Sequence, residues 1–167
     1  MKLKNIKKAP IEIASLLAAD KTILQLIYND SPSALTSSVV DVTIQDLIGQ
    51  NYIGFYPATE VGIKDVNRST FIIINVEDFS LQNPDNNTSA SGAIYITTDK
   101  SHCLLDNGRL RLLELADAIE GCLENTKLSS AGVVQVSNIN YVVFSDFRSG
   151  YRINFRLKDQ QSRKAEL

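Results

Sequence analysis

Histidine and cysteine are scarce in this chain, and their scarcity limits its chemistry. Its 167 residues include one histidine, His102, and two cysteines, Cys103 and Cys122. A serine–histidine–acid site would have to use His102, and no Gly-x-Ser-x-Gly elbow occurs. Zinc needs clustered Cys and His ligands, which are absent here. We therefore expect no metal and no cofactor, and we interpret both cysteines as free thiols in a reducing compartment.

Glycine-rich loops, long apolar runs and an excess of positive charge are also missing. The eight glycines are scattered, so none builds a phosphate-binding loop. No run approaches the ~20 apolar residues of a membrane helix, so we expect a soluble protein with no membrane partner. A formal net charge of −2 argues against a strongly basic nucleic-acid-binding protein. It still allows a protein that surrounds DNA without gripping it.

A catalytic role for His102 has little support in its surroundings. In an extended or helical backbone Ser101 would point elsewhere, and on a strand Cys103 would face the opposite side. Acidic residues at helical spacing could pair carboxylates, but such spacing is more typical of a solvated face; they are Glu114, Asp117, Glu120 and Glu124. We predict that the chain is not an enzyme. An enzyme that uses His102 remains the least favoured alternative.

Apolar spacing of three and four residues predicts a helical segment near the start of the chain, which is either continuous or divided at Asp20. Pro10 suits a first helical position, and Asp20 is placed to cap a second helix that ends in the turn at residues 29–33. The β-branched residues 39–44 favour a strand, and residues 52–56 indicate another short one.

The most apolar run of the chain, residues 71–76, does not alternate with polar residues. This pattern predicts a central strand that is covered on both faces. It is followed by residues 82–92, which contain no large apolar side chain and cannot bury themselves. We expect those residues to form an exposed, mobile hairpin loop or arm.

The second half of the chain predicts one main helix and then a set of strands. Apolar residues at helical spacing cover about residues 109–124, with Asp106 or Asn107 as a cap. The strands are expected at residues 133–136, 139–144 and 151–157. The chain is therefore predicted to be one α+β domain, residues 1–167. A mainly antiparallel twisted sheet packs against the main helix and an N-terminal helical segment, and residues 1–8 and 159–167 fray.

A basic row lines the polar side of the last predicted hairpin. Strand periodicity places Arg148, Arg152 and Arg156 on one face, together with Lys158. This row is either a solvated sheet face or a patch that meets an acidic partner surface.

The order of motifs in the second half resembles the tail-terminator and head–tail joining (neck, tail completion) proteins of long-tailed bacteriophages. The similarity includes the turn at residues 106–111, the helix Leu-Leu-Glu-Leu-Ala-Asp-Ala-Ile-Glu-Gly-Cys-Leu at 112–123 and the Gly-Val-Val strand at 132–134. It also includes the closing strand Gly-Tyr-Arg-Ile-Asn-Phe at 150–155. It covers residues 70–158 better than the preceding part of the chain.

The resemblance implies a structural virion protein. Six copies would form a ring on the last ring of tail tube protein, stop tube growth and join the tube to the head completion or connector protein. DNA would only pass through the lumen. The protein would act at the virion neck, after assembly in the host cytoplasm. Candidate subunit or neck contacts are Asn83, Asp85, Asn86, Asn87, Arg148, Tyr151, Arg152 and Arg156. The alternatives are another head–tail connector or completion protein, or a non-viral monomeric α+β module that binds a ligand through residues 82–92.

Overall fold

The computed structural model describes residues 6–38, 41–55, 68–81 and 88–158, and the structural account is confined to them. The helices in this part are α1 (Ala9–Ala19), α2 (Lys21–Tyr28), α3 (Ile44–Gly49) and α4 (Arg111–Leu123), with 3-10 turns at Ala34–Thr36 and Lys100–His102. The strands are β1 (Ile53–Gly54), β2 (Thr70–Leu81), β3 (Thr88–Asp99), β4 (Lys127–Leu128), β5 (Gly132–Val143) and β6 (Arg148–Lys158). None of these helices is long and apolar enough to cross a membrane.

The six strands form one sheet in the order β1-β2-β3-β6-β5-β4. Only β1 and β2 pair in parallel, and the other neighbours are antiparallel. The predicted α+β class with a mainly antiparallel sheet is therefore confirmed.

The helices cover one face of the sheet and share its main core. Buried side chains of α4, such as Leu115 and Ile119, belong to the same apolar cluster as Ile153 and Phe155 of β6. Helices α1 and α2 add further buried residues to it, including Ile13, Leu17, Ile23 and Ile27. The predicted packing of the main helix against the last hairpin is confirmed.

Strand β2 is covered on both faces, as its uninterrupted apolar run predicts. Ile72 and Ile74 lie in the main core, whereas Phe71 and Ile73 pack with Phe144 in a second cluster on the other face. The N-terminal helical segment is divided at Asp20, where the sequence places a cap for a second helix, and α2 ends at Tyr28, directly before the predicted turn. The Asp20 carboxylate accepts a hydrogen bond from Ile23 N at 2.9 Å and caps α2.

The strand predicted at residues 39–44 is wrong in its described part. A capping box at Thr43 and Asp46 starts helix α3 at Ile44. Because the two residues satisfy each other's free N–H groups, local capping overrides the β-propensity of the segment. Residues 39–40 lie outside the described residues. Of the predicted strand at 52–56, only Ile53–Gly54 pairs in the sheet, and residue 56 is outside the described part.

The predicted loop at residues 82–92 is wrong at its C-terminal end. Residues 88–92 belong to β3 and pair with β2, and residues 90–92 also pair with β6. The lack of a side chain at Gly92 suits this position, because a Cβ there would lie 2.2 Å from Asn75 O and 2.6 Å from the ring of Phe155. The absence of large apolar residues marks close packing here rather than exposure. Residues 82–87 lie outside the described part.

Two boundaries in the second half also differ from the prediction. Helix α4 starts at Arg111, and its N-cap residue, Leu110, makes no side-chain cap. Asn107 instead accepts a hydrogen bond from Arg109 N at 2.9 Å, in a turn where Gly108 has a φ of +78°. The two strands predicted at 133–136 and 139–144 form one strand, β5, with a bulge between Val136 and Asn138.

Candidate assembly surface

The outer edge of β5 is paired only at its beginning. Strand β4 pairs with β5 at Gly132 and Val133. The edge continues through hydrogen bonds from Val134 N to Thr126 O at 2.9 Å and from Val136 N to the Glu124 carboxylate at 2.6 Å. From Asn138 to Val143, no described strand lies beyond β5.

The direction of the main-chain N–H and C=O groups along this open edge follows from the hydrogen bonds to β6. Phe144 N donates to Arg148 O at 3.1 Å, so Phe144 directs its main chain toward β6. Main-chain direction alternates along an antiparallel strand. The N–H and C=O groups of Ile139, Tyr141 and Val143 therefore point away from β6, toward the open edge.

The same three residues expose apolar side chains. In the sheet they lie opposite Ile153, Tyr151 and Ser149 of β6. Their side chains are on the same face of the sheet as helix α4. Their relative exposures are 36% for Ile139, 58% for Tyr141 and 63% for Val143, and Phe147 in the following turn is 78% exposed. We call these four residues the apolar strip.

One residue of the apolar strip packs against a neighbouring aromatic ring. The ring of Tyr141 packs edge-on against Tyr151, with centroids 5.6 Å apart and planes at 72°. In natural proteins, charges, prolines or bulges usually prevent an edge strand from pairing with another chain. Residues 138–143 contain no charged side chain and no proline, and the bulge at Ser137 lies before them. This surface therefore has the properties of a site for another protein chain.

The predicted basic row does share one face, the one opposite the helices, but its members have different surroundings. Arg148 is mostly buried: its Nε lies 2.7 Å from the Asp99 carboxylate, and its Nη2 donates to Arg68 O at 2.7 Å. Its guanidinium also lies 5.1 Å from the ring centroid of Phe71. Arg148 therefore covers the second apolar cluster and connects β3 to β6 within the chain.

Arg152 is also engaged within the chain. It forms an ion pair with Glu77 and lies 5.5 Å from the ring centroid of Tyr95, whose hydroxyl donates to Glu77 at 3.0 Å. Burial, followed by the hydrogen bond to Glu77, raises the pKa of Tyr95. Arg156 and Lys158 are exposed at the far end of the same face.

The predicted contact residues are thus divided between two faces of the sheet. Tyr151 lies on the helix-covered face, under Tyr141, whereas Arg152 and Arg156 lie on the opposite one. The remaining candidates, Asn83, Asp85, Asn86 and Asn87, lie outside the described residues. Their role stays a prediction.

The segment around His102 differs from the expectation in one respect. Ser101 Oγ lies 3.0 Å from His102 Nδ1, because the Lys100–His102 turn brings adjacent side chains together. The expectation that Ser101 points elsewhere is wrong. Cys103 and Cys122 are both free thiols, and burial raises the pKa of each. Within the described ranges, no group of three acidic, His or Cys side chains could hold a metal ion.

Sequence reasoning missed Arg111, the largest fully buried side chain among the described residues. Its guanidinium donates to four main-chain oxygens: Leu26 O, Asn29 O and Ser31 O at 2.6 Å each, and His102 O at 2.9 Å. Burial lowers its pKa. Its spacing could have indicated this burial, because Arg111 lies four residues before Leu115 and eight before Ile119, which are buried on the same side of the helix.

The described residues form an α+β domain with an exposed apolar strand edge, and comparison with known proteins identifies its family. The YomW family model matches residues 20–157, and the chain belongs to this family. The family is phage-derived, of the Bacillus prophage type, so the chain is a phage-associated protein. No curated protein matches the chain.

Proposed function

We propose that this protein is a phage tail terminator, a structural virion protein that caps the tail tube as a ring and joins it to the head. The observation that carries the proposal is the apolar strip on an open strand edge, in a chain of a phage-derived family. Exposed contiguous apolar surface on a stable subunit is typical of a protein that works by assembly. The motif order in residues 106–157 supports the same class.

In this proposal the subunit needs two kinds of contact. Neighbouring copies must meet through different surfaces, because only heterologous contacts can close into a ring with one face toward the tube and the other toward the head. Exposed Arg156 and Lys158 lie on one side of the sheet, and the apolar strip lies on the helix-covered side. Six copies would surround the lumen through which DNA passes.

The partners follow from the position of the ring. They are further copies of the chain, the tail tube protein and the head completion or connector protein. The protein would act in the virion neck after assembly in the host cytoplasm, and no catalytic role, cofactor or membrane enters its mechanism. The runner-up function is another head–tail connector or completion protein, which would share the same surfaces and location.

Labelling of purified virions tests the location. A small tag placed at an exposed residue of α1, such as Ile11, would be detected with gold-conjugated antibody by electron microscopy. We expect label at the junction of head and tail in intact virions. Label at the distal tail tip, or absence of the protein from virions by mass spectrometry, would overturn the proposal.

A further inference from the structure

The open edge of β5 is self-complementary about Tyr141. Ile139 and Val143 stand two residues before and after it, and all three direct their N–H and C=O groups outward. If a second copy approached in the antiparallel direction, Tyr141 would face its own counterpart. Ile139 would then face Val143 of the second copy, and each pair could exchange two main-chain hydrogen bonds, about six in total.

We propose that a second copy of this chain pairs with the edge of β5, joining the two sheets across a two-fold axis at Tyr141. This is β-augmentation by an identical strand: main-chain hydrogen bonds supply affinity, and the side chains that face each other supply specificity. A two-fold contact uses the same patch on both copies, which requires a patch complementary to itself.

The side chains across the axis meet this requirement. On the helix-covered face, the aligned residues of both copies are apolar, and directly opposite apolar and aromatic pairs stabilise antiparallel strands. On the other face, Asn140 would lie opposite Val142 of the second copy. No charged side chain occurs between residues 137 and 143, so no like charges would meet across the axis.

The exposed area agrees with a modest dimer interface. At the roughly 150–250 Å² that a large side chain can bury, the exposed fractions of the four strip residues give about 500 Å² per copy. A standard interface buries about 800 Å² per partner. The strip can therefore supply at most about 500 Å² of that area, and the paired main chain and flanking polar residues would supply the rest.

This inference does not rest on the proposed function. A two-fold dimer presents the same surface in both directions, so it cannot be the one-sided cap of a tail tube. If both hold, the dimer is the form in free solution, where pairing covers the apolar strip before a ring forms.

Sedimentation velocity on the purified full chain tests the pairing. Weak interfaces of this size have micromolar dissociation constants, so we expect wild type to be a dimer when the protein concentration is raised to about 100 µM.

Three variants test where the pairing occurs. Tyr141→Glu, which puts two carboxylates at the axis, should give monomers. Val143→Pro should do the same, because it removes an outward N–H that only the second copy would use, and proline is tolerated there on an edge strand. Ile11→Glu, at a residue 49% exposed on α1, is the matched control and should stay dimeric. Circular dichroism would confirm that each variant is folded.

A cross-link tests the register itself. Residues paired about the axis have Cα atoms about 5.5 Å apart, within the range of a disulfide. With Cys103 and Cys122 replaced by serine, Tyr141→Cys should form a covalent dimer on mild oxidation, and Asp117→Cys on α4 should not. A monomeric wild-type chain, or equal cross-linking at both positions, would overturn the inference. So would a dimer or larger ring that persists in Tyr141→Glu and Val143→Pro, and such a ring would leave the proposed function intact.

Discussion

Arg111 Nη1 donates to Leu26 O at 2.6 Å, and this hydrogen bond joins the beginning of α4 to the end of α2. The same guanidinium reaches Asn29 O, Ser31 O and His102 O. The last carbonyls of a helix lack partners within the helix, and the helix dipole favours a cation beside them. One buried side chain therefore connects three segments of the chain.

Replacing Arg111 by methionine should strongly destabilise the fold. The substitution keeps an apolar side chain but leaves several buried carbonyls without a donor, at about 1–3 kcal/mol for each group that water cannot reach. We expect the free energy of unfolding in urea to fall by at least about 3 kcal/mol. Arg109→Ala is the control, because the Arg109–Glu114 ion pair is exposed and should contribute below about 1 kcal/mol. Equal effects of the two substitutions would contradict this role of Arg111.

Alanine at two glycines should have opposite effects on stability. A Cβ at Gly150 would lie 1.9 Å from Ile96 O, a main-chain atom that can move only with β3. We expect Gly150→Ala to lower the unfolding free energy by about 2 kcal/mol or more, as overpacking does. At Gly121 on α4 nothing lies within 4 Å of the new Cβ, so alanine should stabilise the helix by up to about 1 kcal/mol. Thermal unfolding of both variants would check the pair, and a stable Gly150→Ala would argue against this close approach of β3 and β6.

The contact between Glu12 and the turn before β5 should depend on pH. Burial alone would raise the pKa of Glu12, but hydrogen bonds from Ser129 Oγ at 2.8 Å and Ser130 N at 3.3 Å outweigh it and lower the pKa below 4.5. A lowered folded-state pKa contributes stability above the unfolded pKa, and this is lost as pH falls through the folded value.

We therefore expect wild type to be more stable than Glu12→Gln at neutral pH, with the difference shrinking as the pH falls below the ordinary pKa of a glutamate and through the lowered pKa of Glu12. Denaturant unfolding at a series of pH values would measure the difference. Asp41→Asn, at an exposed residue before α3, serves as the control for general charge effects. A difference that stays constant with pH would mean that the carboxylate does not act through these hydrogen bonds.

Hydrophobic periodicity was a good guide to the fold wherever burial decides the structure. The apolar run at residues 71–76 and the alternation at 151–157 gave the central strand and the last strand. It failed where local hydrogen bonds or close packing decide instead. The capping box at Thr43 starts a helix at Ile44, the last residue of the β-branched segment. Phe155 packs over Gly92 in a segment whose composition indicates a loop.

The candidate site was less predictable. The sequence correctly put Arg148, Arg152 and Arg156 on one face, but it could not indicate that Asp99 and Glu77, distant in sequence, pair with the first two. The apolar residues of the strip have the same alternation as buried ones. The sheet order is needed to see that β4 pairs with only the beginning of β5. Beyond Val133, β5 is the outermost of the described strands, and Tyr141 is exposed.

Tail length in a phage that lacks this gene tests the proposed function most directly. After deletion from the prophage and induction, tail tubes would be measured by electron microscopy, with a plasmid copy of the gene as the control. A terminator stops tube growth, so we predict headless tails of variable, extended length that return to normal length when the gene is supplied. Headless tails of normal length would indicate another connector or completion protein, and intact infectious virions would contradict a structural role in the neck.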